Sequence, residues 1–467
     1  MIVPIALGVA TSEALYTTLL PLFTAPGRPP RQLLYGALRV ALPLTVAAAA
    51  VYAAIVLAAS PARLALWLVF APVLVATGLN GVYAAFLTAD RRYPLAILRV
   101  PLASGIALAL AAALLPAWRS TTAIALAITV GQLVTLAFLA VQARGSPCSD
   151  APVRAISARG LVGPAAAVFA ATLVAGQLVI VGERFLAAGL ATGAVALLAF
   201  ARGIALLPAM FAQALGGGIF PAATERFEAR EHEPLARVAL TGIRLSILAA
   251  LVSTALVVIC RRDLVQIAFE RHEFSASDAS QTATLVGILA ASLAGVSASA
   301  AASKTLFALG RRSLTLWISV GGVALYVAAA LVLRHTNGLE GLAWAFVVAS
   351  TALGLVFAGT VVPALGLRTG AVVRHWILAP LGLAAAFAAG ALAVWAVIGG
   401  DHDGFVAAVA AVLATAAGGL VTLAAAVRLA NGLEYALVRG VLRRGPSSVP
   451  GASLAKEASG RRAGQCK

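Results

Sequence analysis

Residues 183–221 read ERFLAAGLATGAVALLAFARGIALLPAMFAQALGGGIFP, and two long apolar runs meet in this segment. The second run carries Arg202 in its interior, with Pro208 a turn and a half further on. At 1.5 Å per residue, Arg202 lies about 13 Å beyond Gly193, close to the middle of a bilayer. A charge at that depth costs about 2.5 kcal/mol or more and persists mainly where it faces a bundle interior or a wet cavity. The segment therefore predicts a membrane helix whose arginine serves a function or, alternatively, bonds to a neighbouring helix.

The composition extends this interpretation to the whole chain. Of its 467 residues, 61% are hydrophobic and 11% are charged, and the mean hydropathy is +0.99. Apolar runs of about 20 residues or more recur along the chain, which is the length that spans a bilayer. We therefore predict an all-α, polytopic membrane protein.

Charge and cysteine usage exclude several classes of function. A net charge of +17 would suggest nucleic-acid binding in a soluble domain, but here basic residues on one membrane face set orientation, so we expect no nucleic-acid partner. The cysteines Cys148, Cys260 and Cys466 lie far apart, and the five histidines fall in separate loops or run ends. We expect no disulfide framework, no metal site and no cofactor.

About thirteen apolar runs have spanning length, and basic residues alternate between the loops that join them. Their approximate limits are 2–24, 34–60, 63–88, 95–117, 121–143, 158–182, 190–221, 236–260, 280–308, 313–334, 338–366, 371–399 and 403–428. Alternate loops and the tail hold about 24 basic residues, against 7 on the opposite face. By the positive-inside rule, the chain starts outside and its tail is cytoplasmic.

Shifts in composition divide the chain into blocks. Five spans in residues 1–143 form an N-terminal lobe, and the polar segment 144–157 is a cytoplasmic linker. Six spans in residues 158–366 form a C-terminal lobe, followed by a helix pair in 367–428. Residues 429–467 form a basic cytoplasmic tail, whose polar end is typical of disorder.

Several motifs resemble the MurJ/MviN family of lipid II flippases, within the multidrug/oligosaccharidyl-lipid/polysaccharide exporter superfamily. The segment ERFLAAGLATGAVALLAFARGIALLP resembles the family's FxAxxLxxGxVxxLxYAxRLxxLP, and ALGGGIFPAATERF resembles ALGTxxxPxLSxxF. The segment AFERHEFSASDASQTATLVGIL is similar to LFxxGxFxxxDxxxTxxxLxxY. In the first block, PIALGVATSEALYTTLLP is similar to the family's second helix, with a glutamate between two prolines.

The resemblance implies two six-helix lobes around a central cavity and a C-terminal helix pair with a groove for a lipid tail. It also implies fourteen helices, so the thirteen counted here fit a loss of the first one. It further implies an inner-membrane transporter that is not an enzyme, with lipid II or a related polyprenyl-diphosphate-linked glycan as substrate. Membrane lipid and the cell-wall synthesis machinery are the other partners that we expect.

Cavity residues depart from the family pattern. Family members carry arginines on the first, second and eighth helices, whereas Gly8 and Val9 stand at the basic pair of the second. In the eighth-helix motif Gly203 takes the arginine's place, and Arg202 stands one residue earlier, which is a rotation of about 100°. The sequence leaves open whether Arg202 faces the cavity.

The proposed chemistry is binding and movement of an anionic head group, because arginine pairs with phosphate oxygens through bidentate hydrogen bonds. Alternating access by rocking lobes would expose the site to one face at a time. The candidate substrate-binding residues are Arg202, Arg184, Glu183, Gln177 and Glu13, and the candidate hinge residues are Pro208, Gly216, Gly217 and Gly218.

Each candidate also has a structural interpretation. Glu183 and Arg184 gate the cavity or are solvated at a helix end, and Gln177 lines the cavity or bonds to another helix. Glu13 couples protons or pairs helices, and the three glycines bend or pack a helix. Alternative functions are an exporter of exopolysaccharide or O-antigen repeat units, a membrane glycosyltransferase or ligase, and a degenerate scaffold that transports nothing.

Overall fold

In a computed structural model of the chain, the structure describes fifteen parts of the sequence. They are residues 2–24, 30–59, 64–114, 118, 120–144, 158–172, 176, 178–191, 193–209, 221–224, 226–227, 232–269, 274–366, 377–399 and 404–429. Every regular element in these parts is helical. The all-α prediction is confirmed, as expected for a chain whose backbone polar groups must be satisfied inside a bilayer.

The N-terminal lobe contains six described helices. They are α1 (Ile2–Thr24), α2 (Pro30–Ala59), α3 (Leu64–Ala89), the short α4 (Tyr93–Ile97), α5 (Arg99–Leu114) and α6 (Thr121–Arg144). The central helix is α3, which packs against α1, α2 and α6. Asn80 on α3 donates a hydrogen bond to Gln132 on α6 at 3.0 Å, so a polar contact fixes this helix pair.

The C-terminal lobe contains eight described helices. They are α7 (Ala158–Thr172), α8 (Val179–Ala188), α9 (Ala194–Ala205), α10 (His232–Ile259), α11 (Arg261–Phe269), α12 (Ala276–Ala290), α13 (Leu293–Ala308) and α14 (Arg312–Ala364). Helix α13 packs against α10 and α14, and α9 packs against α12. Helix α7 reaches across to α1 of the other lobe.

The 53-residue α14 is a helical hairpin. A straight helix of that length would be about 80 Å long, more than twice the hydrocarbon core of a bilayer. At Gly338 the backbone turns, with φ 55° and ψ −125°, a conformation that favours glycine. Gly322 lies beside Leu353, because a Cβ on Gly322 would be 2.8 Å from the Leu353 Cδ1 atom. The two halves therefore run side by side, as the predicted spans 313–334 and 338–366 require.

The last two described helices, α15 (Ala379–Ile398) and α16 (Phe405–Leu429), pack against each other. Small residues permit a close approach, since a Cβ on Gly419 would be 2.5 Å from the Phe387 ring. Helix α15 also contacts α10, and α16 contacts α11. The pair is thus attached to the side of the C-terminal lobe.

The two lobes share one apolar cluster, here called the shared core. Its largest members include Leu19, Phe23, Phe86 and Leu139 from the N-terminal lobe and Leu235, Ile243, Leu306, Phe357 and Val361 from the C-terminal lobe. They lie near the ends of α1, α3, α6, α13 and α14 that precede the basic loops, and near the start of α10. The shared core therefore joins the lobes at the end of the molecule that the loop charges predict to be cytoplasmic.

The second large cluster lies away from that end. It combines residues of α8, α9, α12 and α14, among them Leu198, Leu289 and Tyr326. All its members come from the C-terminal lobe. The lobes are thus packed together by a common core at one end, and each has its own core toward the other.

Seven described helices are long and apolar enough to cross a membrane, or eight if the bent pair α12 and α13 counts as one span. The hairpin α14 is one of the seven, although it corresponds to two predicted spans. The multi-pass prediction holds, and the count of thirteen stays a prediction. The linker 144–157 and the tail beyond Leu429 lie outside the described residues.

Gly295 marks the closest approach between α13 and the second half of α14. A Cβ there would lie 2.5 Å from the Ser350 carbonyl oxygen, and a Cβ on Gly354 would lie 2.7 Å from the Gly295 carbonyl oxygen. We expect Gly295→Val to destabilise the protein by about 1–3 kcal/mol, because two backbones would have to separate. Thermal unfolding in detergent measures the change.

The control for this substitution is Gly321→Ala. Gly321 is also helical, but a Cβ there meets no atom within 4 Å among the described residues. We expect this variant to be as stable as the wild type or slightly more stable, because alanine favours the helix. Equal losses in both variants would contradict the close-approach explanation.

Candidate functional site

A cavity of about 440 Å³ lies between the shared core and the core of the C-terminal lobe. Its wall comes mainly from α8, α9, α13 and both halves of α14, and α1 of the other lobe contributes Val9 and Glu13. Among the described residues of this wall, the charged ones are Glu13, Arg202 and Lys304. A volume of this size matches ligand pockets in other proteins.

Arg202 is tied to Glu183 within the C-terminal lobe. Arg202 Nε donates to Glu183 Oε1 at 3.1 Å, and Arg202 Nη2 makes a second contact with Glu183 Oε2. The Glu183 side chain is 2% exposed and that of Arg202 is 12% exposed. The bidentate geometry is the strongest form of a carboxylate–guanidinium pair, and a buried pair needs it to offset desolvation.

Local helix geometry explains how this pair forms. Helix α9 begins after Gly193, whose φ of 87° suits glycine, and places Arg202 in its last turn beside α8. The Arg202 guanidinium also stacks over the Phe346 ring of α14, with its carbon 4.0 Å from the ring centroid. Arg202 thus contacts two neighbouring helices while it borders the cavity.

The one-residue displacement from the family motif does not turn Arg202 away from the cavity. Gly203, where family members carry the arginine, is exposed, and a Cβ there meets no described atom within 4 Å. Val9, at the position of a missing basic residue on α1, lines the cavity with an apolar side chain. The cavity therefore has Arg202 in place and lacks a cation at Val9.

A second charged cluster joins the two lobes. Glu13 of α1 lies 3.6 Å from Arg99 Nη2 of α5 and 3.3 Å from Lys304 Nζ of α13. Arg99 also donates to the Ser12 hydroxyl at 3.3 Å and lies over the Tyr16 ring, 5.3 Å from its centroid. Glu13 and Arg99 belong to the N-terminal lobe and Lys304 to the C-terminal lobe, so the Glu13–Lys304 contact is an inter-lobe ion pair.

This ion pair lies at the boundary between the shared core and the cavity. Leu15 and Tyr16, just beyond Glu13, are members of the shared core, as are Ala302 and Leu306 on either side of Lys304. Glu13 and Lys304 themselves line the cavity. The pair therefore forms part of the cavity floor at the end where the lobes are packed together.

Hydroxyl groups line the wall above this floor. They belong to Ser299 and Ser303 of α13 and to Thr315, Ser319 and Ser350 of α14. Each hydroxyl donates to a carbonyl three or four residues earlier in its own helix, at 2.5–3.2 Å. Each oxygen keeps acceptor capacity, so this part of a mainly apolar wall offers hydrogen-bonding groups without charge.

The other predicted site residues are not brought to the cavity in the same way. Arg184 is partly exposed and is not among the described residues of the cavity wall. Pro208 lies beyond the break after Ala205, among the helical residues 207–209, where a proline is tolerated because it stands in a first helical turn. Gln177, Gly216, Gly217 and Gly218 lie outside the described residues, so the hinge prediction is unaltered.

Arg99 and Lys304 were missed as site residues by sequence reasoning. Lys304 lies close to Arg311 and Arg312, so the sequence pattern places it with one of the basic loops predicted to be cytoplasmic. Arg99 was not singled out, although it is a charge inside an apolar run. The default that an intramembrane ionisable residue is functional would have indicated it.

Comparisons with known proteins identify the family. The family model described as lipid II flippase MurJ matches residues 31–415, which is most of the chain. Among curated proteins, none matches the chain significantly in sequence.

Several solved structures share the fold. The lipid II flippase MurJ in an inward-closed conformation is 11% identical, with a TM-score of 0.62 over 92% of this chain and 91% of that one. A transporter of the same exporter superfamily from Pyrococcus furiosus is 16% identical, with a TM-score of 0.62 over 78% and 86%. An outward-facing multidrug exporter is 18% identical, with a TM-score of 0.59 over 78% and 85%. The chain belongs to the MurJ family of lipid II flippases.

Proposed function

We propose that this multi-pass inner-membrane protein moves a lipid-linked cell-wall precursor, lipid II or a closely related polyprenyl-diphosphate glycan, by alternating access. The family match supports transport of such a precursor. The observation that carries the proposal is a largely apolar cavity, with hydroxyl groups in its wall and charged residues on its floor, where the two lobes are joined through the Glu13–Lys304 ion pair. A cavity of this kind accepts a charged head group while the lipid tail stays in the bilayer.

The cavity wall suits the two parts of such a head group. Lys304 on the floor, with Arg99 behind it, would attract the diphosphate, because charge-assisted hydrogen bonds are strongest away from bulk water. The hydroxyl wall of α13 and α14 would accept hydrogen bonds from sugar hydroxyls and amides. The two chemistries are adjacent, as they are in a glycan diphosphate.

The movement would consist of rocking one lobe against the other. In the arrangement described here, the shared core and the Glu13–Lys304 pair close the end predicted to be cytoplasmic. Opening that end requires the pair to separate, because its two members lie on different lobes. Substrate loading from the cytoplasm would then alternate with release at the opposite face.

The role of Arg202 differs from that of a free phosphate ligand. Glu183 already neutralises it through a bidentate pair. We infer that Arg202 positions α9 against α8 and α14 and presents little net charge to the substrate. The C-terminal helix pair would accommodate the lipid tail, and the basic tail would lie in the cytoplasm near the cell-wall synthesis machinery.

Replacement of an essential flippase tests the proposed function. We expect this chain to restore growth when the host's own lipid II flippase is depleted, and to move lipid II across vesicles after reconstitution. Translocation would be measured by access of the head group to an external labelling reagent.

The matched control is Glu340→Lys, which changes the charge of a partly exposed residue at the hairpin turn, outside the cavity. It should restore growth like the wild type. No growth with the wild-type chain present in the membrane would exclude lipid II, and translocation of an O-antigen or exopolysaccharide repeat unit would then identify the alternative exporter.

A further inference from the structure

Arg202 is held by its carboxylate partner more closely than the cations near the cavity floor are held by theirs. Arg202 and Glu183 form a closed pair with no net charge. At the cavity floor, Lys304 shares the Glu13 carboxylate with Arg99, which lies behind the wall, so these three described residues carry one more positive than negative charge. Lys304 is thus a wall cation whose carboxylate partner is shared with a second cation, whereas Arg202 holds the Glu183 carboxylate in a bidentate pair.

We propose that a phosphate-bearing head group and the Glu13 carboxylate are alternative partners of the same two cations, Arg99 and Lys304. This inference rests on the proposed function and names the binding groups for it. Glu13 is then an internal competitor of the substrate. When the phosphate leaves the cations, Glu13 takes its place and the two lobes join at that end.

The contact distances leave room for such an exchange. Glu13 lies 3.6 Å from Arg99 and 3.3 Å from Lys304, whereas charge-assisted hydrogen bonds of this type are about 2.7–2.9 Å long. An arginine has five N–H donors and a lysine has three, so one carboxylate does not saturate them. Both cations thus retain donors for phosphate oxygens.

The exposed fractions of these side chains also support the exchange. The side chains of Arg99, Lys304 and Glu13 are 20%, 22% and 23% exposed, ten times the 2% of Glu183. Lys304 and Glu13 line the cavity directly, and Arg99 lies against Tyr16 behind them. Glu13 and Lys304 are accessible from the cavity, Arg99 is their partly exposed neighbour, and the Glu183 carboxylate does not line the cavity.

The placement of the three residues links binding to movement. Glu13 and Arg99 stay together when the lobes move, since both belong to the N-terminal lobe, and Lys304 travels with the C-terminal lobe. A diphosphate is longer than a carboxylate and would hold both cations at a greater separation. Its departure would let Glu13 draw Lys304 back to the distance observed here.

The test measures binding of farnesyl diphosphate to the purified full-length protein in detergent by calorimetry. We expect Glu13→Gln to bind it about tenfold more tightly or better, because the competing carboxylate is lost. We expect Lys304→Gln and Arg99→Gln to bind it about tenfold to a hundredfold more weakly, because each loses a charge-assisted hydrogen bond. Lys304→Arg keeps the charge and should retain most of the affinity.

Arg262→Gln serves as the matched control, because Arg262 is an exposed cation on α11 outside the cavity wall. It should bind like the wild type. Inorganic pyrophosphate and phosphatidylglycerol, offered as separate ligands, distinguish a free phosphate and a bulk phospholipid from a prenyl diphosphate. Tighter binding by Glu13→Gln in one of these arms alone would assign the site to that source.

The distinctive result is that Glu13→Gln binds farnesyl diphosphate more tightly than the wild type, whereas Lys304→Gln binds it more weakly. Weaker binding by Glu13→Gln, or unchanged binding by both Lys304→Gln and Lys304→Arg, would overturn the exchange while leaving the proposed function intact. If the wild-type protein binds no prenyl diphosphate at all, both the exchange and the proposed function fail.

Discussion

Arg202→Leu should lower the free energy of unfolding by about 3–5 kcal/mol, the cost of breaking one partner out of a buried ion pair. The substitution leaves Glu183 in place, and only 2% of that side chain is exposed. A carboxylate so enclosed cannot reach water, so it stays desolvated without its guanidinium partner. The Phe346 ring also loses its cation–π contact. Unfolding by sodium dodecyl sulfate in mixed micelles measures the loss.

Removal of the other member of the pair, by Glu183→Leu, should lower the free energy of unfolding by a smaller amount. Arg202 borders the cavity and is 12% exposed, so its guanidinium can turn toward water when the carboxylate is removed. The double variant Glu183→Leu with Arg202→Leu should lose far less than the sum of the two single losses, because no uncompensated charge remains. This ordering is specific to a pair in which one member is more deeply enclosed than the other.

Measurements of stability and transport on the same variants distinguish a structural role of Arg202 from direct contact with the substrate. If the pair only holds the neighbouring helices together, transport by the double variant should be proportional to the amount of folded protein. Full stability of Arg202→Leu together with complete loss of transport would show instead that Arg202 contacts the substrate. The interpretation of Arg202 as a positioning residue would then be wrong.

Secondary structure was the part that the sequence predicted best. Runs of apolar residues determine where helices form in a bilayer, and the turn between the predicted spans 313–334 and 338–366 coincides with the Gly338 bend. The number of spans was harder to establish. The run at 280–308 is bent by 41° between α12 and α13, and bends of this kind do not show in hydropathy.

The sequence did not predict which charged residues, distant along the chain, form ion pairs. Glu183 and Arg202 were both singled out, but Glu183 was associated with its neighbour Arg184 because no spacing rule connects residues 19 positions apart across a turn. The rotation of Arg202 could not be decided from the motif either. Packing of α9 against α8 and α14 determines where its guanidinium points, and that depends on tertiary contacts.

The charged cluster between the lobes was even harder to predict from the sequence. Glu13, Arg99 and Lys304 lie on three helices and far apart in the chain, and the sequence offers no reason to group them. Lys304 is four residues before the end of α13, where a basic residue also fits a cytoplasmic boundary. Only the packing of the lobes brings its ammonium group to Glu13.

Charge reversal at Glu13 should have the largest effect on transport. Glu13→Lys places a third cation beside Arg99 and Lys304, at separations of about 4 Å. Two like charges at that distance repel by about 4 kcal/mol at an effective dielectric constant of 20, which is about a thousandfold change in a two-state equilibrium. The arrangement closed at the predicted cytoplasmic end would therefore become the minor state, and transport should be abolished.

Accessibility of a cavity cysteine measures this shift. Ser299 lines the cavity, so Ser299→Cys, in a chain whose Cys148, Cys260 and Cys466 are replaced by serine, reports whether the cavity is open. In inside-out vesicles, a membrane-impermeant maleimide should label it much faster after Glu13→Lys than before. Glu340→Lys, the same charge change outside the cavity, should leave labelling unchanged.

Exchanging the two charges gives the decisive comparison. Glu13→Lys combined with Lys304→Glu restores an opposite-charge pair between the lobes, so labelling should slow again and part of the transport should return. Recovery of transport should be incomplete, because Arg99 of α5 lies next to position 13 and would repel the introduced lysine. Fast labelling in the exchanged variant, or normal transport by Glu13→Lys, would mean that the ion pair does not control closure at this end.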